Sequence, residues 1–181
     1  MNSNKRRQAS LFLSDQTKIE SLRLRYNPVQ AQLIPAHVTL CREDEVTDWG
    51  ALRTKLELLV PFELTLEFGI PVRENDFVYL PVVAGVEAYQ ELRCKILSKE
   101  ARLPMPHLTM IHPRNGTCTD EIFTEMRAAI DSPFQFTFRE VRLIEQEGAG
   151  VWQVISRVGI PDQNEPGPSS HESCGRGFSM P

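Results

Sequence analysis

The chain has 181 residues, 41% of them hydrophobic, and a formal net charge of −4, with a pI near 5.6. That suffices for the core of one medium domain or two small fused lobes, and it excludes the global basic field that draws a protein onto long duplex nucleic acid. No apolar run approaches a membrane span, and Lys5-Arg6-Arg7 near the start has no apolar stretch behind it. Cys41, Cys94, Cys118 and Cys174 lie far apart without CxxC spacing and read as free thiols of a reducing compartment. A cytoplasmic protein is expected, monomeric by default and without a membrane partner; a small anionic ligand or an RNA end remains open to it.

Residues 10–13 form a short apolar run, and Ser14 is placed to cap a helix over residues 15–26 with Ile19, Leu22 and Tyr26 on its inner stripe. Asn27-Pro28 stops that helix. A strand over residues 32–42 follows, then a helix over 48–59 capped by Asp48 and carrying Trp49, Leu52, Leu56 and Leu59, ended by Pro61. Phe62-Glu63-Leu64-Thr65-Leu66-Glu67-Phe68 alternates in period two, as a half-buried antiparallel strand does.

The order then repeats: an apolar strand over residues 77–84, a helix over 86–99, a strand over 106–112 and a helix opened by Thr119-Asp120-Glu121 and running to 130. Phe134-Gln135-Phe136-Thr137-Phe138 alternates as residues 62–68 did, and both aromatic runs are read as core before base-stacking surface. Each half thus reads strand, helix, strand, helix, alternating strand, which points to an internal duplication over about 10–70 and 77–158. A last strand over 150–158 pairs with 141–145 through a turn at Gly148. One bilobal domain over residues 1–160 is expected. Residues 161–181, rich in Pro, Gly and Ser, are expected to be a disordered tail, which leaves His171 and Cys174 outside any site.

Between the halves, one four-residue pattern recurs, His and Thr alternating with apolar residues. His37-Val38-Thr39-Leu40 and His107-Leu108-Thr109-Met110 each place His and Thr on one face of a strand and two apolar residues on the other. Two imidazoles and two hydroxyls can then meet one ligand, the equipment for acid–base chemistry on a phosphate. There is no His-x-His, no HExxH and no carboxylate at ligand spacing, so no metal is expected. His112 has the opposite strand parity to His107 unless a bulge intervenes, and reads as a strand end beside Pro113. Arg114, in the polar turn after the second strand, is a candidate substrate ligand, and so is Arg42, although Glu43-Asp44-Glu45 competes for it.

With its two motifs and the runs leading into them, Leu33-Ile34-Pro35-Ala36 and Pro104-Met105-Pro106, the chain resembles the 2H phosphoesterase superfamily, and within it the bacterial RNA 2′,5′-ligase-like proteins. The resemblance spans about residues 10–158. It implies an α+β fold of two pseudo-symmetric lobes, their antiparallel sheets flanking a central groove and their helices outside. It also implies metal-independent chemistry at the ribose 2′ position, with His37 and His107 as the acid–base pair and Thr39 and Thr109 holding phosphoryl oxygens. The expected activity is opening of 2′,3′-cyclic phosphates on RNA ends or small nucleotides, with 2′,5′ ligation as its reverse. The alternatives are a non-catalytic nucleotide or RNA-end binding module, and a hydrolase of another cyclic phosphate or of 2′,5′-linked oligonucleotides. No Gly-rich phosphate loop or dinucleotide fingerprint is present, so no nucleotide cofactor is expected and ATP-driven ligation is disfavoured. By residue pattern alone the two histidines are symmetric; His107 is taken as the acid and His37 as the base.

Overall fold

The structure, a computed structural model, describes residues 5–14, 16–98 and 100–159. The chain opens with β1 (Lys5–Phe12), in which Ala9 and Leu11 are fully buried. Arg6, Gln8 and Ser10 alternate with them on the opposite face, where Gln8 Nε2 donates to Ser10 Oγ at 2.8 Å. The expected apolar run at 10–13 is therefore only the end of a strand that starts in the basic segment. α1 (Thr17–Tyr26) begins later than expected: Gln16, not Ser14, occupies the N-cap, and no side chain caps it. Asn27-Pro28 does not lead directly into a strand. Pro28 instead starts α2 (Pro28–Leu33), since proline lacks an N–H that the first helical turn does not need.

β2 (His37–Arg42) follows, then α3 (Trp49–Glu57), where Asp48 accepts from Ala51 N at 3.0 Å as its N-cap. β3 (Leu64–Phe68), β4 (Val72–Glu74) and β5 (Phe77–Ala84) come next, β4 being too short for its pattern to announce it. Gly85 turns the chain from β5 into α4 (Val86–Ile96) at φ +87, and a Cβ there would lie 2.3 Å from the Thr65 carbonyl oxygen. β6 (His107–Ile111), α5 (Asp120–Ala129) capped by Thr119, β7 (Phe134–Phe138), β8 (Glu140–Glu147) and β9 (Gln153–Gly159) complete the chain. Residues 160–181, including the expected tail, lie outside the described residues. Cys41, Cys94 and Cys118 are free thiols.

Two antiparallel sheets organise these elements. One runs β2-β1-β8-β9; in the other, β4-β5-β3-β7 are joined by β6, which pairs with β5. The sheets do not divide at the boundary between the sequence repeats. β3, from the first repeat, pairs with β5 and β7, whereas β8 and β9 return to complete the sheet begun by β1 and β2. Val38, Leu40, Leu108 and Met110 point into the core as their alternation demands, all fully buried. Phe68 and Phe138 are core too, with Phe62, Phe134 and Phe136 packed against it. No helix among the described residues is long and apolar enough to cross a membrane.

Candidate active site

The two motif strands are built alike to the level of a defect. Ser10 pairs with Thr39 and Ala9 with Cys41, so β2 carries an extra residue after its threonine. Tyr79 pairs with Thr109 and Val78 with Ile111, so β6 carries the same bulge at the same place. Leu40 and Cys41 are consequently both buried, as are Met110 and Ile111, and the next residue returns to the face of the histidine and threonine. Those residues are Arg42 and His112. His112, expected to turn away, thus lines the groove, and so do Arg42 and Arg114.

The groove, about 860 Å³, is lined by His37, Thr39, His107 and Thr109 from the two strands. The lead-in loops fix each imidazole in the same way. His37 Nδ1 lies 2.8 Å from the Pro35 carbonyl oxygen and His107 Nδ1 lies 3.2 Å from that of Met105. A carbonyl can only accept, so each Nδ1 carries the proton and each Nε2 is left for a ligand. Neither threonine hydroxyl has a hydrogen-bond partner among the described residues, which leaves both free to donate.

The surroundings break the symmetry. His37 is half-buried and His107 exposed. Burial above all, opposed by the Pro35 hydrogen bond and aided by the nearby Arg23 charge and His107 imidazole, brings the His37 pKa down to about 4. Phe12 lies 5.6 Å from the His37 ring, whereas His107 lies edge-on against both Phe77 and Tyr79, which stack on each other at 5.0 Å.

Helices brace the motif strands across the lobes, and neither brace is marked in the sequence pattern. From α4, Tyr89 Oη donates to the Thr39 carbonyl at 2.7 Å, while the buried Arg93 donates to the Leu40 carbonyl and pairs with Glu45 at 2.5 Å. From the end of α1, Asn27 holds the other strand: the amide orientation that satisfies both neighbours accepts from His112 N at 2.8 Å and donates to the Asn115 carbonyl at 3.1 Å. Arg93 and, on α1, Arg23 are each 1% exposed, an uncommon place for a long basic side chain.

Arg42 pairs weakly with Asp44 at 3.9 Å, so the acidic run does compete for it. Among the described residues no three His, Cys, Asp or Glu side chains gather as a metal site would require.

A profile of the 2′-5′ RNA ligase superfamily matches residues 12–150. The chain belongs to this superfamily, whose members are 2H phosphoesterases. Its fold is similar to that of Escherichia coli LigT, solved with 3′-AMP, at a TM-score of 0.55 and 15% identity over 87% of this chain and 99% of that one. It is also similar to a conserved protein of unknown function from Agrobacterium tumefaciens str. C58, at a TM-score of 0.53 and 12% identity over 86% of this chain and 85% of that one. No curated protein matches significantly.

Proposed function

We propose that the protein is a metal-independent phosphodiesterase that opens 2′,3′-cyclic phosphates on RNA ends or small nucleotides in the cytoplasm. The observation that carries this reading is the meeting of two identically bulged His-Thr strands in one groove, each imidazole presenting Nε2 and each threonine a free hydroxyl. Membership of a 2H phosphoesterase family supports it.

With its low pKa, His37 stays neutral across the physiological range and takes a proton from the attacking water through Nε2. His107, open to solvent, is the acid that delivers a proton to the ribose oxygen as the P–O bond breaks. Thr39 and Thr109 donate to the non-bridging oxygens, where charge redistributes in the transition state. With a ribose 5′-hydroxyl in place of water, the same groups open the ring onto that hydroxyl: His37 takes its proton, the P–O3′ bond breaks as His107 protonates the 3′ oxygen, and a 2′,5′ phosphodiester forms.

The test is turnover of nucleoside 2′,3′-cyclic monophosphates and a cyclic-phosphate-ended RNA with EDTA present, for wild type, His37→Ala and His107→Ala. Activity that persists in EDTA and collapses in both variants is the expected result, and separating 2′- from 3′-phosphate products names the leaving oxygen. A wild type that binds these compounds without turnover would overturn cyclic-end hydrolysis in favour of a binding module or of 2′,5′-linked substrates.

A further inference from the structure

Arg23 on α1 and Arg93 on α4 are the two largest fully buried side chains of the described residues. A buried ion pair is seldom more stable than apolar packing of the same volume, so what each guanidinium holds is informative. Arg23 forks: Nη1 pairs with Glu20 at 2.8 Å and Nη2 donates to the Ile34 carbonyl at 2.9 Å. Glu20, one helical turn earlier, uses its other carboxylate oxygen to accept from Ala36 N. The two side chains thus grip the peptide groups on either side of Pro35, whose carbonyl holds His37 Nδ1 at 2.8 Å.

The second half repeats the device. One helical turn before Arg93, Gln90 donates to the Pro104 carbonyl at 2.8 Å, and Arg93 donates to the Arg102 carbonyl at 2.9 Å. Both carbonyls belong to the run that leads to Met105, whose own carbonyl lies 3.2 Å from His107 Nδ1. Glu20 and Gln90, like Arg23 and Arg93, stand at the same remove from His37 and His107 in the chain. The carbonyl three residues before the histidine is held in both halves, by Arg23 in one and by Gln90 in the other. Even the exchange of Glu for Gln has a physical reason. At the place that matches Ala36, Pro106 has no N–H to give. The side chain there is an amide that donates instead, and its Oε1 is left buried without a hydrogen-bond partner among the described residues.

Matched clamps at matched spacing serve something the two motif strands share, and each strand carries a histidine with Nε2 left for a ligand. We infer, building on the function proposed above, that Glu20 with Arg23 and Gln90 with Arg93 are positioning residues: each pair fixes the loop carbonyl that receives its histidine's Nδ1 proton, and so keeps Nε2 turned to the groove. A neutral imidazole without such a partner exchanges its proton between the two nitrogens, and an Nε2 that carries it cannot act as a base. Arg23 and Arg93 thus act through Pro35 and Met105 and need not touch substrate.

The test reads the rings directly. Proton–nitrogen correlation spectra of the isotope-labelled protein, taken above the histidine titration range, tell the two neutral forms of each imidazole apart. The wild type should hold the proton of both His37 and His107 at Nδ1; a proton at Nε2 in either overturns the positioning role. Arg23→Met should release His37 into exchange between the forms and leave His107 as it was. Gln90→Leu, which removes one hydrogen bond from a half-buried side chain and leaves Arg93 in place, should do the reverse. On nucleoside 2′,3′-cyclic monophosphates each variant should lower kcat by about 10- to 100-fold, with KM changed less than about twofold. Arg23→Lys, which cannot fork to both partners, should fall between wild type and Arg23→Met. Rings unchanged in both variants, or both rings altered alike in each, overturn the positioning role and leave the arginines as packing. Where Arg23→Met does not fold, Gln90→Leu decides: release of His107 with His37 held supports the role, and a locked His107 overturns it. A protein that turns over none of these compounds fails the function proposed above, and the spectra still decide between the two outcomes for the clamps.

Discussion

β2 and β6 share a motif, a bulge and a lead-in hydrogen bond, yet the strands beside them differ in kind. Next to β2, β1 presents Ser10, Gln8 and Arg6; at the matching positions beside β6, β5 presents Tyr79 and Phe77. One wall is polar and cationic, the other aromatic. The matched strands therefore supply the proposed acid–base pair, and the unlike walls distinguish its two sides. The same difference separates the histidines. His37 is shielded and kept neutral, whereas His107 is open and set among aromatic rings.

The largest expected effect comes from removing either imidazole, about 10²- to 10⁴-fold in kcat. A nucleotide ester with a good aryl leaving group sharpens the comparison, because departure of such a group needs no proton. His107→Ala should regain most of its activity on that ester and His37→Ala should not; equal recovery would reverse or erase the assigned roles. Thr39→Val and Thr109→Val should each lower kcat by about 10²-fold with smaller changes in KM, as loss of a donor to developing charge does. The brace on β2 is read by stability. Arg93→Met strands the Leu40 carbonyl and leaves Glu45 with only the longer Arg102 ion pair at 3.5 Å, and should cost about 3 kcal/mol in denaturant unfolding, whereas Tyr89→Phe, which removes one donor to the Thr39 carbonyl, should cost about 1 kcal/mol.

The last effect is on pH dependence. A histidine that titrates at 6.5 when unfolded and at about 4 in the fold makes the native state bind fewer protons between those values. Its contribution is complete above about pH 6.5 and is lost as pH falls toward 4. His37→Gln should flatten the stability profile across that window, and the acid limb of kcat/KM for the wild type should fall near pH 4 rather than near 6.5.

Residue patterns revealed most of what is local. Asp48 and Thr119 cap helices where a short polar side chain precedes an apolar stripe, and residues 77–84 and 134–138 are the strands their apolar character announced. Ser14 misled because a cap is chosen by where the chain enters the helix, and β1 leaves Gln16 at that point. Pro28 misled because proline both ends helices and begins them. The motif histidines and threonines were legible, since period-two spacing alone puts them on one face. His112 was not, because a bulge is a property of pairing between strands and leaves no mark on one of them. Arg6 was hidden for a different reason: Lys5-Arg6-Arg7 was weighed only as the basic start of an apolar leader, although Arg6, Gln8 and Ser10 already alternate with Ala9 and Leu11.

The pairing of β1 with β8 sets a timetable for synthesis. Both histidines have left the ribosome well before the residues that end β8, yet Lys5 awaits Glu147 and Arg6 awaits Gln146. A nascent chain released too early keeps both His-Thr motifs while β1 exposes a bare hydrogen-bonding edge, open to aggregation. Such long-range closure folds slowly. The price of a groove walled by strands from both ends of the chain is that competence arrives all at once, and late.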